Sequence, residues 1–439
     1  MLEVGPHSAL KGPILDTLKA LGTSVASEVG YAPTVVRKVD PSQSILDAAG
    51  AVYVRGGSLN INEINFPCSG TGTCNVLDDL PRYPWQHDTV FWHRSRISEK
   101  QRFRDGQRND ILGTEAFYSN DLEPTWRNIV RLDDIPWLRD HKMQDMIVYP
   151  IAGYISMAIE AARTRAEKSG TVAAELQFEL REVSVGTALV LTDDLDTEIT
   201  ITLRSHVEGT RGTSNAWDEF RICSWNSKRN WIDHCTGLVR ARPNRKNRKQ
   251  NPVANCVEVE EEIFRRKTSE VMGAATYEID VENMYRVLTD VGAGYGVAFQ
   301  GVENCLSGPH HSRANLNPRD TQSFMPKNYE APVVIHPTLL DALLHLTWPI
   351  LGKGRMELDT LHVPTLIEDL VIDGNIASIG PKLPAWCMRT SGRGTPEPTK
   401  FDLWITPADS SEVLINMEGL VMTPIDDAGC DNKVAHDLC

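Results

Sequence analysis

Long apolar runs, paired cysteines and a basic surplus are all missing from this chain of 439 residues. No stretch approaches the ~18 consecutive apolar residues that a membrane-crossing helix needs. The N-terminal MLEVGPHSAL has neither a basic n-region nor an apolar h-region. No signal peptide is therefore expected, and the cytoplasm is the expected compartment. The nine cysteines include no CxxC pair, and an odd number fits free thiols better than a disulfide framework. With 45 Lys and Arg against 59 Asp and Glu, the net charge is −14. That balance argues against the broad basic face that nucleic acid or an anionic membrane would demand. What remains is an ordinary globular composition, 41% hydrophobic and 24% charged, long enough for two or three domains or one large double domain.

The first hundred residues do not read as a complete domain. A short helical stretch from Leu10 to Leu21 stops at Gly22, and PCSGTGTCN (Pro67 to Asn75) has the composition of a loop. DLPRYPWQHDTVFW (Asp79 to Trp92) is expected to run extended with its aromatics packed on a neighbouring surface. The charged Arg94 to Arg108 reads as a solvated linker. Regular structure follows. Ile151, Tyr154, Ile155, Ala158, Ile159 and Ala162 recur at helical spacing, with Pro150 before and Gly170 after as start and stop signals. Glu175 to Val183, Thr197 to Val207, Glu219 to Trp225 and Thr236 to Ala241 read as strands. The basic Arg242 to Pro252 and acidic Glu258 to Glu262 read as an inter-domain linker. A second helix opens near His336-Pro337, with Leu340, Leu343, Leu344 and Thr347 on one side. Strands follow at Thr365 to Ile372, Phe401 to Thr406 and Val413 to Met422. A helix followed by antiparallel strands, twice, predicts an α+β double hotdog: two antiparallel sheets, each wrapped around a long central helix.

Two places carry candidate chemistry. In WLRDHKMQDMIVYPIAGY, His141 lies nine residues before Pro150 and the helix that follows it. Histidine is the usual general base near neutral pH, and the free amides at a helix start suit a developing oxyanion. Alone, a histidine ahead of a helix is more often a structural or surface residue than a catalytic one. In VIHPTLLDALLH, Asp341 stands among leucines early in the second helix, and His345 falls on the same face one turn later. Apolar surroundings could keep such a carboxyl protonated, and a helix-start carboxylate stabilised by the macrodipole is the plainer alternative. No third ligand accompanies the pair in a matching motif, so no metal site is expected.

Longer segments resemble a known family. EVGPHSAL and GPILDTL near the N-terminus resemble the C-terminal end of a polyketide synthase acyltransferase, and DLPRYPWQHDTVFWHRSR resembles the linker that follows it. ILGTE, WLRDH, YGVAFQG, IHPTLLD, VPTLIEDL and MEGLVMTP resemble the dehydratase domain of fungal-type highly reducing synthases, in the family's order. The resemblance implies a division into residues 1–66 (acyltransferase remnant and following segment) and 67–108 (linker). It places the N-terminal hotdog at 109–245, an inter-hotdog linker at 246–274, the C-terminal hotdog at 275–428 and a tail at 429–439. It implies His141 as proton acceptor and Asp341 as proton donor in the elimination of water from a β-hydroxyacyl thioester, giving an α,β-alkene. Ile151, Tyr295 and His345 would position the substrate. No metal or redox cofactor is implied. The substrate would arrive on the phosphopantetheine of an acyl carrier protein, with the other synthase domains as partners and homodimerisation open.

Three positions depart from the family pattern. Asp145 stands where HxxxGxxxxP has glycine, Ile151 where glycine follows the proline, and Val297 where YGPxFQG has proline. Asp145 is expected to raise the His141 pKa and keep the ring charged, and Ile151 to crowd the helix amides. The chain has no GxSxG, no Gly-rich dinucleotide fingerprint and no carrier signature. A truncated synthase product is the expectation this suggests. A non-catalytic pseudo-dehydratase and a free-standing hotdog thioesterase or hydratase are the alternatives.

Overall fold

The computed structural model describes residues 1–22, 24, 28–66, 77–86, 88–89, 93–103, 106–168, 170–208, 212–225, 230–244, 254–376, 380, 382–391, 397–407 and 412–425. Two compact units divide the chain, Met1–Phe91 and Trp92–Cys439. In the first, β1 (Leu2–Glu3) pairs in parallel with β2 (Ala32–Pro33), and the helices are α1 (Lys11–Ala20), α2 (Pro41–Tyr53) and α3 (Ile61–Asn65). The loop expected at Pro67 to Asn75 lies outside the described residues. Tyr83 and Trp85 meet in a tilted contact at 4.4 Å but are exposed, so these two aromatics do not pack onto a neighbouring surface as expected.

The second unit begins with a helix, α4 (Arg96–Arg102), inside the stretch expected to be linker. Ser95 caps it, and Lys100 pairs with Glu115. Next come β3 (Thr114–Glu115), β4 (Thr125–Val130), β5 (His141–Met143), β6 (Met146–Val148) and α5 (Ile151–Lys168). Every residue of α5 from Ile151 to Ala162 is buried, so this part of the helix has no solvent face. Arg165 and Lys168 emerge only in its last turn, where cations suit the helix dipole.

Strands β7 (Leu176–Val185), β8 (Val190–Leu191), β9 (Thr197–Glu208), β10 (Gly212–Trp225) and β11 (Trp231–Pro243) complete the first half. Then come α6 (Ala254–Ala274), β12 (Tyr277–Glu278), α7 (Val281–Asp290), β13 (Ala293–Tyr295), β14 (Val302–Ser307) and β15 (His311–Leu316). The chain closes through α8 (Pro337–Leu344), α9 (Thr347–Leu351), β16 (Leu361–Asp373), β17 (Leu383–Ser391), β18 (Thr399–Ile405) and β19 (Ile415–Ile425).

Among the described residues, thirteen strands form one antiparallel sheet in the order β12-β14-β15-β17-β18-β19-β16-β7-β11-β10-β9-β4-β3. The two hotdog sheets are joined where β7 pairs β16, with Leu180 opposite Leu370 and Phe178 opposite Ile372. All four side chains point into the core. The central helices are unequal. The second, α8, has only eight residues, all buried, and it stops at His345 before α9 resumes the path.

One segment expected as linker is a helix. The stretch 246–253 lies outside the described residues, but α6 occupies 254–274. Its polar sequence hides a stripe: Phe264, Val271 and Ala275 pack on Trp386 and Trp404, and the Trp404 indole donates to Thr268 at 3.1 Å. Spacing of four, three and four residues puts these groups on one face. The acidic residues that suggested a linker are the start of an amphipathic helix.

Candidate active site

His141 opens β5 directly after a one-turn 3₁₀ helix, Pro136–Asp140. The hairpin β5–β6 brings the Val148 carbonyl back to His141 Nδ1 at 2.7 Å. Carbonyl oxygen can only accept, so Nδ1 carries the proton and Nε2 keeps its lone pair. The ring is 5% exposed. Burial pushes its pKa below the ordinary value of 6.5, outweighing Asp341 and the Val148 bond, which act the other way. The outcome is a neutral imidazole with a free nitrogen, the form a base requires.

That nitrogen faces Asp341. Nε2 lies 4.0 Å from Oδ2 of the carboxyl, although 200 positions (341 − 141) separate the two residues in the chain. Asp341 sits in the middle of α8, whose start is set by His336 as N-cap and Pro337 at the first helical position. His345 Nε2 approaches the same Oδ2 to 3.1 Å, but out of line for a hydrogen bond. Both atoms are buried polar groups without a hydrogen-bond partner in the fold, an arrangement that costs free energy unless a ligand hydroxyl completes it. Tyr295 is the register partner of His141 across β13–β5, and its ring lies 4.1 Å from that of His345. Phe299 closes the other flank of His141 at 5.2 Å.

His141, Tyr295, Asp341 and His345 share a cleft of about 110 Å³ with the first residues of α5, Ile151 included. Its remaining wall is apolar, with Met143, Val148, Leu344, Trp348, Leu361 and Met422. A neutral imidazole and a carboxyl group facing each other beside a helix N-terminus can remove a proton from carbon and return one to a departing oxygen. A larger cavity of about 320 Å³, lined by Arg242, Lys267, Asp373 and Glu418 among others, contains neither His141 nor Asp341. Among the described residues no group of three His, Cys, Asp or Glu is disposed to hold a metal ion.

Backbone clamps from the first half fix the second around the site, and sequence reasoning missed them. Asp140 Oδ2 accepts the Ala298 N–H at 2.9 Å, and its carbonyl accepts the Gly296 N–H at 2.7 Å. A Cβ on Gly296 would overlap the Asp140 carboxyl, so this position has room only for glycine. Asp110 accepts from Ala331 N–H and Glu160 from Val334 N–H, each at 2.7 Å, on the segment leading into α8. A carboxylate in the middle of an apolar helix was the one signal that could have singled out Glu160. Tyr285, hydrogen-bonded to His345, had none.

The three departures fall in different surroundings. Gln144 and Asp145 form the two-residue turn of the β5–β6 hairpin, with φ of 49° and 63°. Such a turn needs positive φ at both positions, and aspartate tolerates it better than most side chains. Asp145 is exposed at the tip, and it is not among the groups that move the His141 pKa. The expected electrostatic poisoning of His141 is therefore corrected: burial sets the ring's state, and solvent surrounds the carboxylate. Val297 is 62% exposed at the start of a 3₁₀ turn. Ile151 is buried against the cleft, where crowding was expected.

Residues 111–215 match a family model described as the polyketide synthase dehydratase domain, and residues 265–431 match the polyketide synthase dehydratase N-terminal domain. Solved structures of similar fold include the dehydratase domain from the CurF module of curacin polyketide synthase. It has a TM-score of 0.53 at 15% identity, covering 72% of this chain and 99% of that one. The dehydratase domain of a mycocerosic acid synthase-like synthase gives 0.54 at 18%, covering 73% and 98%. The chain thus carries a polyketide synthase dehydratase domain with the double-hotdog fold.

Its curated relatives include fungal highly reducing polyketide synthases. Highly-reducing polyketide synthase 1 of Aureobasidium melanogenum is 44% identical over 448 residues, taking in 100% of this chain and 20% of that protein. Highly reducing polyketide synthase tstA of Talaromyces stipitatus is 35% identical over 386 residues, 86% of this chain and 15% of that one. The chain spans about a fifth or less of the length of these relatives.

Proposed function

We propose that the dehydratase domain eliminates water from a β-hydroxyacyl thioester carried on the phosphopantetheine of an acyl carrier protein. The observation that carries this reading is the approach of His141 Nε2 and Asp341 Oδ2 to 4.0 Å within one buried cleft. His141 Nε2 takes the α-proton, and the electron pair shifts into the new α,β double bond as the β C–O bond breaks. Asp341 gives its proton to the departing hydroxyl, which leaves as water. Charge on the thioester carbonyl is met by the first amides of α5, beside Ile151. Tyr295 and His345 hold the hydroxyl between base and acid. No metal or redox group has a part.

On this reading the hotdogs run over 109–245 and 275–428, joined by 246–274, with a tail at 429–439. Residues 1–66 would be the end of an acyltransferase and 67–108 its following linker. The whole-chain alignment with the Aureobasidium synthase supports that context. The other synthase domains are the partners and the cytoplasm is the compartment. The test is incubation with a β-hydroxyacyl N-acetylcysteamine thioester. An alkene product, lost in His141→Ala and Asp341→Asn, is expected. Free acid would mean a thioesterase, and no product from the folded chain would mean a non-catalytic domain.

A further inference from the structure

Tyr285 stands on α7, outside every motif described above, and is buried. Its hydroxyl lies 3.2 Å from His345 Nδ1. On its other side, His345 turns Nε2 toward Asp341 Oδ2 at 3.1 Å. The three residues form a line that ends on the oxygen facing His141.

A phenol has one proton to give, and a neutral imidazole has one N–H. His345 Nδ1, at 3.2 Å, is the one side-chain hydrogen-bond partner of the buried Tyr285 hydroxyl among the described contacts, so the O–H is satisfied by donating to Nδ1. Nδ1 then accepts, and the imidazole proton sits on Nε2, toward Asp341. Burial pushes the tyrosine hydroxyl pKa far above neutrality, so the donor persists at any working pH. The other titratable groups facing this line are His141 from β5, Tyr295 from β13 and Cys305 from β14, with Arg319 acting on Tyr285 from the loop after β15. None of them hydrogen-bonds Nδ1 among the described contacts.

We propose that Tyr285 is a positioning residue that fixes His345 as its Nε2–H tautomer. Nε2–H then lies 3.1 Å from Asp341 Oδ2, out of line for a direct hydrogen bond in this structure, where the other tautomer would place a lone pair. A lone pair there would take the carboxyl proton that dehydration requires for the leaving hydroxyl. The effect on rate rests on the dehydratase reading above; the tautomer itself does not.

The test has two arms. In the full chain labelled with ¹⁵N-histidine, ring nitrogen shifts distinguish the tautomers, and His345→Gln identifies the signals of His345. The wild type should be protonated on Nε2, and Tyr285→Phe should lose that preference. A wild type protonated on Nδ1, or a Tyr285→Phe spectrum unchanged at His345, overturns the proposal. In the second arm, Tyr285→Phe should lower kcat about tenfold with KM within about twofold. In a His345→Gln background, where an amide N–H can serve as donor, the same substitution should change kcat by less than about twofold. Equal losses in both backgrounds would show that Tyr285 acts on packing and would end the idea. A wild type that forms no alkene counts against the dehydratase reading and leaves the tautomer arm to decide.

Discussion

Glu160, in the buried part of α5, accepts the Val334 N–H at 2.7 Å and ties the central helix of the first half to the segment that carries Asp341. Arg163 pairs with the same carboxylate at 2.7 Å. Burial raises the Glu160 pKa despite both partners. A carboxyl raised on folding favours the folded state most at low pH, and that contribution fades as pH rises through the folded value.

Two substitutions separate the charge from the hydrogen bond. Glu160→Gln keeps an acceptor for Val334 and sheds the buried charge, so its stability at pH 7 should lie within about 1 kcal/mol of wild type. Glu160→Ala strands the Val334 amide and removes one of the two carboxylates that hold Arg163, Glu167 being the other, and should cost about 1–3 kcal/mol. Urea midpoints at pH 7 and pH 5 provide the check, with the wild type gaining on Glu160→Gln at the lower pH.

Dehydration should keep its rate well into mild acid. Burial holds the His141 pKa below 6.5, so the neutral ring prevails at pH 6.5 and is lost only as the pH falls through a lower value. The acidic limb of kcat/KM should therefore lie below pH 6.5, and His141→Ala should cost about 10³-fold. A limb at pH 7 or above would contradict the neutral ring.

Asp145→Gly should leave rate and pH profile unchanged, because the side chain is exposed and outside the groups acting on His141. It should raise stability by about 0.5–1 kcal/mol, since glycine takes the positive φ of the turn without steric cost. Thermal melts and a pH–rate series on the variant would show both.

Gly296→Ala should be more harmful than its size suggests. The added carbon displaces the carboxyl of Asp140, the residue just before His141, from the Ala298 N–H that it holds. A fall in kcat of at least about tenfold, with the fold retained by circular dichroism, is the expected outcome.

Local periodicity made much of the fold legible. Thr197 to Val207 alternates and forms β9, and the spacing from Ile151 to Ala162 forms α5. The polar composition of α6 concealed a helix because the apolar groups it packs among the described residues are few: Phe264, Val271 and, just past its end, Ala275, with Thr268 taking a hydrogen bond. β13 to β15 carry Gly, Asn, Cys and Ser, which weaken any strand pattern. The pairing of His141 with Asp341 was legible through a family resemblance and not through spacing. Asp140 and Tyr285 were invisible because their partners, Ala298 and His345, are 158 and 60 positions away.

The β7–β16 pairing also sets a length scale for the chemistry. Sliding one strand past the other by a single residue would translate the halves by about 3.4 Å and turn each inward side chain outward. That step is nearly the whole 4.0 Å between His141 and Asp341. The seam therefore acts as a ruler: Leu180 opposite Leu370 meters the gap between His141 and Asp341 from outside the lining of the cleft.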